Sequence, residues 1–493
     1  MKKLLVCLLA FCVLVPFFSA CGPKADGDKS VQLDETLTVK PIDMNGETIS
    51  ILCKNFGAGS KSILGYTGEI IYSEENPSTV DEAKREVVEY MEGVYNCNIE
   101  GRIINTGEDI SQIISNQISA GLRDYDIYFD SFTNAASMAL AGYTLDLNTV
   151  PNIDLKDEWW DANAVEDLSM NGKLYFVCGD INTYDDQGTF CMFFNKTLKT
   201  KLGAIKDIDF YELASSGKWT FDKFKEICVE SQATYDQNGD GTQDEKDQWA
   251  FGTELFNIYA HTVAAGYKIA QKNEVTDLPY LTISQETAGT YKILQAVTEF
   301  YRSKDVMVAD TADMKVKFPN DTCWDETVHK SFVEGRELFY LGGLFNAASF
   351  RQMNDEIGIL PIPKGSSSQN RYYHTVSHGN ASFMFLPINI KNDELEMLGT
   401  FLSGLSELSK KKVTYEYREV QLKYRDARDS ESEEMLNIIF NTRTFDLGAA
   451  FNWGNILERY TRIDGNPASN FSGIKLMAES KLKETLKALK LAD

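Results

Sequence analysis

Residues 236–247 read DQNGDGTQDEKD. Asp236, Asn238, Asp240, Thr242 (through its carbonyl), Asp244 and Asp247 fall at positions 1, 3, 5, 7, 9 and 12, with Gly241 at the sharp turn. This spacing lets one loop offer a hard cation about six to eight oxygens, so the expected chemistry is a structural Ca²⁺ site. The closing position holds Asp where Glu is usual, and the shorter arm weakens two-oxygen closure. No second loop of this type occurs elsewhere to pair with it. His374 and His378 have the spacing of a zinc pair on a helix. No Glu follows His374, however, and YYHTVSHGN reads as a loop entering a strand, so zinc is not expected. No GxSxG nucleophile motif is present. Among 73 acidic residues, carboxylate pairs carry no information about glycoside hydrolysis. No catalytic residue is assigned and the chain is not expected to be an enzyme.

The second chemical feature is Cys21. It follows two lysines, an apolar run from Leu4 to Phe18, and the small pair Ser19-Ala20. That is a secretory leader, and its end resembles the lipobox of bacterial lipoproteins, with Phe18 in place of the usual Leu. The resemblance implies cleavage before Cys21, acylation of its thiol, and an extracytoplasmic protein held to a cell membrane by lipid (palmitate among its acyl chains). Two or more acyl chains anchor far more firmly than one.

Composition narrows the partners. The net charge is −24, and losing Lys2 and Lys3 with the leader makes it more negative. Phosphate backbones demand a basic face, so nucleic acid is excluded; a neutral or cationic small ligand is compatible. No later stretch approaches the roughly 20 apolar residues of a membrane span. With 43% hydrophobic and 12% aromatic residues the chain can build sizeable cores. Beyond Cys21, Cys53, Cys97, Cys178, Cys191, Cys228 and Cys323 lack CxxC spacing. A Cys53–Cys97 bridge is open to them, and buried free thiols are the favoured reading.

These groups need elements to hold them. Residues 22–40 are polar and aperiodic and read as a tether. Thr48–Phe56 predicts a strand. Thr79 and Glu82 have capping-box spacing ahead of a helix with Val80, Ala83, Val87, Met91 and Val94 on one face. Cys97–Ile104 and Asp124–Phe129 predict strands, with a helix over Ile110–Ala120 between them. Such alternation predicts a parallel α/β sheet, whose ligands sit beyond the strands' carboxyl ends. Further on, Gly172–Asp180 and Thr189–Asn195 read as strands. Thr220 could cap a helix presenting Phe221, Phe224 and Ile227, and Asp393–Lys412 and Ser430–Phe440 read as helices.

Taken in order, several segments carry a resemblance: DYDIYF with SMALAGYTLDLN, GKLYFVCGD, FFNKTL, GKWTFDKF, FVEGRELFYLGG with IGILPIPK, and RDSESEEMLNII with FDLG. Together they resemble the extracellular solute-binding proteins (family 1) of bacterial ABC transporters, in the carbohydrate-binding branch related to the maltose-binding protein. The resemblance runs from about residue 48 to about residue 450. It implies an α/β fold of the two-lobed periplasmic-binding-protein-like kind (type II), with the ligand in the cleft between lobes. It places a leader over 1–20, a tether over 21–47, an N-terminal lobe over 48–177 and 336–382, and a C-terminal lobe over 178–335 and 383–493. It also implies ligand contacts from Asp130, Phe132 and Asn134 after the third strand, and from Asp180 and Tyr184 after the first crossover. Phe345 and Asn346 after the Gly342-Gly343 turn, and Trp453 further on, complete the set. The implied partners are a mono- or oligosaccharide, the permease subunits of a transporter, and the membrane through the lipid anchor; the chain is expected to be a monomer. A surface glycan hydrolase and a lipoprotein presenting ligand to a sensor are the alternatives, and peptides stay open as solutes.

Overall fold

The computed structural model describes residues 37–57, 66–105, 107–285, 287–319, 323–427 and 430–491. The leader and Cys21 lie outside them. Nine strands of the described residues form two larger sheets: β1 (Thr48–Cys53), β2 (Asn98–Ile103), β3 (Ile127–Ser131), β4 (Phe190–Asn195), β5 (Trp249–Thr253), β6 (Val306–Val308), β7 (Glu337–Gly343), β8 (Ile357–Leu360) and β9 (Ser382–Phe385).

The first sheet has the order β9-β3-β1-β2. β1 runs parallel to β2 (Thr48 opposite Asn98) and to β3 (Ile51 opposite Ile127). β9 returns antiparallel along β3, with Ser382 opposite Ser131. Aromatic pairs seal that edge: Phe132 stacks on Phe383 at 4.5 Å and Tyr128 on Phe385 at 5.4 Å. The helix Thr79–Tyr95 connects β1 to β2. Its capping box is made one residue earlier than the sequence pattern suggests. Ser78 Oγ accepts from the Asp81 amide, and the Asp81 carboxylate accepts from the Ser78 amide. Asp can replace Glu at the third position because its shorter arm still reaches the cap amide.

The second sheet has the order β8-β4-β7-β5-β6. β5 is parallel to β6 and β7, whereas β4 is antiparallel to β7 and β8. β4, β5 and β7 are buried at every position, as befits strands covered on both faces. Their cover includes Phe210 and Trp219, tilted against Phe339, and Phe224, which meets it edge-on. Trp219 donates its indole N–H to the Pro361 carbonyl at 2.8 Å. Thr220 caps the helix Phe221–Glu230 as expected.

Three connections join the sheets. The first runs from Val177, bridged to Met384 of the first sheet, to β4. The second runs from β8 to β9, and on the way His374–Thr375 pairs with Arg443–Thr444. The third is helical. Asn392–Ser409 packs on Thr79–Tyr95, Tyr95 donating to the Thr400 carbonyl. It continues as a wider π-helix through residues 410–427. It reaches Ser430–Asn441, where Ser432 Oγ meets Tyr211 Oη at 2.9 Å.

These pairings correct the expected lobe boundaries. Residues 336–382 were expected in the first lobe, yet β7 and β8 are strands of the second sheet, while β9 and the helix Asn392–Ser409 belong with the first. A buried apolar run such as ELFYLGG fits either sheet, and its partners, not its own sequence, decide. Gly172–Asp180 contributes only isolated bridges. The tether stops short of residue 47: Leu37 and Met44 are buried, and the amide and hydroxyl of Thr38 donate to Glu407. The six described cysteines are free and buried. Burial pushes the Cys97 thiol up to about 11, and those of Cys53, Cys178, Cys191 and Cys228 well above the ordinary range.

Candidate functional site between the two sheets

The carboxyl ends of the parallel strands converge on one region. Beyond β1 stand Lys54 and Phe56; Asp130 is the penultimate residue of β3, and Asn134 follows the strand. Asp130 is buried and its carboxylate is held by the Ser131 amide at 2.6 Å, by Asn134 Nδ2 at 3.1 Å and by Lys54 at 3.7 Å. Burial raises its pKa although Lys54 works against this. From the second sheet, β5 is followed by Glu254 and Phe256. Burial, with Asp310 nearby, pushes the Glu254 carboxyl up to about 8.

His378 ties the two sides together. Its ring stacks on Phe256 at 4.7 Å, while its carbonyl accepts from the amide and hydroxyl of Thr133. Burial, aided by the charge on Lys54, brings its ring down to about 4, so it is neutral at ordinary pH. Beside it lies a small aromatic group apart from the main core. Tyr184 stacks on Phe56 at 4.8 Å and lies parallel to Phe345 at 6.3 Å, and Tyr66 meets both Phe56 and Tyr184 edge-on.

A cavity of about 240 Å³ opens against these rings. Its walls come from the first sheet's side (Tyr66, Lys84), the first connection (Thr183, Gln187), the second sheet's side (Phe345, Arg351) and the third connection (Tyr417, Gln421). Glu69 fixes the wall at Thr183: fully buried, it accepts from the Thr183 amide and hydroxyl and from the Tyr184 amide at 2.7–2.9 Å. Lys84 donates to the Gly68 carbonyl at 2.6 Å, and burial lowers its pKa. The arrangement offers flat aromatic faces, amides and a guanidinium to one small polar solute; the Thr67 and Ser78 hydroxyls in its wall both donate to Asp81 at 2.6 Å.

The expected contacts divide. Phe345 lines the cavity; Tyr184 is buried within the ring cluster behind it, and Asp130 and Asn134 stand together with Lys54 at the strand end, outside the cavity wall. Phe132 is packed inside, stacked on Phe383. Asn346 is fully buried, donating to the Gly343 carbonyl within its own turn. Trp453 is buried at the C-terminal helix, stacked on Phe451 at 5.5 Å and donating to Thr485 Oγ1 at 2.9 Å; its aromatic character serves packing. Asp180 lines a different cavity of about 580 Å³, among Trp159, Trp160 and Lys410, where burial pushes its carboxyl up to about 6. Phe132, Asn346 and Trp453 are corrections; Asp180 faces a cavity, but not the one bordered by Tyr66 and Phe345. The sequence reading missed Lys54, Phe56 and His378. The rule that ligands sit beyond the carboxyl ends of parallel strands, applied to β1, points to the first two.

In the loop at 236–247, a bridge between Tyr235 and Gln248 pins the ends. Asp247 is buried and accepts from the amides of Gln237, Asn238 and Asp244. Asp236 accepts from Gly239 and Gly241, Asn238 from Asp240, and Asp240 from Thr242. Lys317 and Lys246 lie 3.9 and 3.8 Å from Asp244. The all-oxygen donor set suits a hard cation. Among the described residues no three acidic, histidine or cysteine side chains converge on one point. No described helix is long and apolar enough to cross a membrane.

No curated protein matches the sequence. Among solved structures, the chain is similar to the sugar-binding protein MalE from Xanthomonas citri (TM-score 0.59, 12% identity, covering 90% of this chain and 100% of that one). It is also similar to UgpB from Mycobacterium tuberculosis in complex with glycerophosphocholine (0.55, 17%, 82% and 95%). A third is the ABC substrate-binding protein Lmo0181 from Listeria monocytogenes in complex with cycloalternan (0.54, 14%, 90% and 99%). At these identities the likeness is one of fold, and it is the two-lobed fold expected from the sequence. The family model for bacterial extracellular solute-binding proteins matches residues 90–397. With two sheets joined by three connections, a solute-sized cavity among them and a family match over more than half its length, the chain belongs to the bacterial extracellular solute-binding proteins.

Proposed function

We propose that this protein captures a carbohydrate between its two lobes and delivers it to the permease of an ABC transporter, while Cys21 anchors it to the outer face of the cell membrane. The observation that carries this reading is the cavity walled by both lobes and by two of the three connections, with Phe345, Tyr66 and polar side chains on its surface. Sugars present apolar C–H faces that suit aromatic rings and hydroxyls that suit amides and charged groups. The solved structures of the same fold include proteins described as sugar-binding or bound to cycloalternan. Closure of the lobes around the solute is the motion such an architecture supports.

The loop at 236–247 is proposed to hold one structural Ca²⁺ through Asp236, Asn238, Asp240, Asp244, Asp247 and the Thr242 carbonyl. Bound calcium would supply charge neutralisation to this acidic turn, and has no part in solute capture.

Thermal unfolding of residues 22–493 against a panel of mono- and oligosaccharides, with calcium and with chelator, tests both. A ligand at 100 times its Kd should add about 2.7 kcal/mol of stability and be recovered uncleaved. A cleaved sugar would favour the hydrolase alternative. No response to any sugar would overturn the carbohydrate reading and turn the search to other solutes. Unchanged stability in chelator would overturn the calcium assignment.

A further inference from the structure

All three inter-lobe connections meet at one buried ionic node that solute capture does not use. Arg443, whose strand pairs with the second connection at His374, is the hub. Its guanidinium donates to Asp185 at 2.9 Å and Asp186 at 2.8 Å, both on the first connection, and to Asp161 at 2.8 Å, the N-cap of a first-lobe helix. Arg418, on the π-helical third connection, clasps Asp186 with two bonds of 2.5 and 2.6 Å. Arg443, Asp185 and Asp186 are each no more than 3% exposed.

The charges do not balance. Three carboxylates face two guanidiniums, and Asp180 and Glu69 add further negative potential at Asp185 and its partners. The Cys178 thiol also faces Asp185, and Lys410 approaches from the Asp180 side. One oxygen of Asp185, Oδ1, is buried without a hydrogen-bond partner. A surplus charge with a bare oxygen in dry surroundings is costly, and taking up a proton is the ordinary relief.

We propose that Asp185 carries a proton in the assembled node, and that losing this proton loosens the junction of the three connections and lets the lobes separate. The node is then a proton-sensitive hinge lock. Burial and the neighbouring acids push Asp185 up to about 8 in this arrangement, with Arg443 working the other way. Asp161, Arg418 and Arg443 border the cavity of about 580 Å³ that Asp180 faces, whereas Asp185 does not reach it; deprotonation leaves a net negative charge at Asp185, and parting of the connections would extend that cavity to it.

The test uses the solute-free chain, so its result is independent of which solute binds. Spin labels on cysteines introduced at exposed Glu89, in the first lobe, and Asp222, in the second, report inter-lobe distance between about pH 6 and about pH 9. The labelled chain starts after Cys21, and the six described thiols are buried and stay unlabelled. The parent should move from a shorter to a longer distance population as pH rises, and Asp185→Asn should keep the shorter one throughout. A second measurement is the infrared carbonyl band of a protonated carboxylic acid: a component present in the parent at the lower pH, lost at the higher, and missing from Asp185→Ala as well as Asp185→Asn, which separates it from the band of buried Glu254. A parent distance that does not change with pH, a variant that follows the parent curve, or the absence of that band would each overturn the proposal.

Discussion

Two acidic regions of this molecule hold their carboxylates in opposite ways. In the loop at 236–247, Asp247 is surrounded by backbone amides, and those bonds win over desolvation to hold it below the usual carboxylate range. At the Arg443 node, Asp185 is surrounded by other acids and by protein interior, and burial wins in the other direction. Neither side chain touches solvent, with Asp247 at 0% and Asp185 at 1% exposure, but Asp247 lies just beneath an exposed turn and Asp185 lies deep. The supply of donors differs too: Asp247 has three amides to itself, whereas Asp185 shares one guanidinium with Asp161 and Asp186. Lack of exposure alone does not set the charge state of a carboxylate; depth and the count of donors against competitors do.

The comparison can be broken at several points. The largest effect is expected at the node. Arg443→Met leaves Asp161 and Asp185 without a cation while Asp186 keeps Arg418, and should cost about 3–5 kcal/mol in urea unfolding. A loss below about 1 kcal/mol would mean that the node is wetter than its burial implies. Next comes the loop. Asp247→Ala removes the acceptor for three amides and should cost about 1–3 kcal/mol, and a calcium-dependent component of this loss would separate amide binding from ion binding.

The third test is the sign of the pH dependence. Asp185, raised when folded, binds a proton that the unfolded chain has released. Its contribution is most favourable below the unfolded carboxylate pKa, and stability drains away as pH climbs towards about 8. The limit is about 1.4 kcal/mol per pH unit for one proton. Asp247, lowered when folded, contributes stability above the unfolded pKa and loses it as pH falls through its folded value. Urea unfolding at several pH values should show Asp185→Asn removing a descending slope on the neutral side, while Asp247→Asn removes an ascending one on the acidic side. The smallest effect belongs to a surface control: cutting the exposed Arg85–Glu89 pair by Arg85→Ala should cost less than about 0.5 kcal/mol.

The loop and the node also differ in how far the sequence reveals them. The loop is legible because its acidic, amide and glycine positions fall within one short run with fixed spacing. The node is not, because Asp161, Asp185, Arg418 and Arg443 are brought together only by chain reversals between two sheets. The same division holds elsewhere. The β1, β2 and β3 segments, the Thr220 cap and the strand-end position of Asp130 follow from local pattern. The placement of β7, β8 and β9 does not, since an apolar run names no partner. Trp453 and Phe132 show the same limit for the site: an aromatic side chain is equally suited to a ligand face and to a core, and only the packing around it decides.

The six buried thiols have a practical meaning. A thiol reacts as thiolate at an accessible sulfur, and neither condition holds for Cys53 in the first sheet or Cys191 in the second while each stays closed. Their alkylation rates are therefore clocks for local opening, one ticking in each lobe. A solute that slows both equally ties the lobes into one cooperative body; one that slows only Cys53 or only Cys191 reveals which half is tightened by its capture.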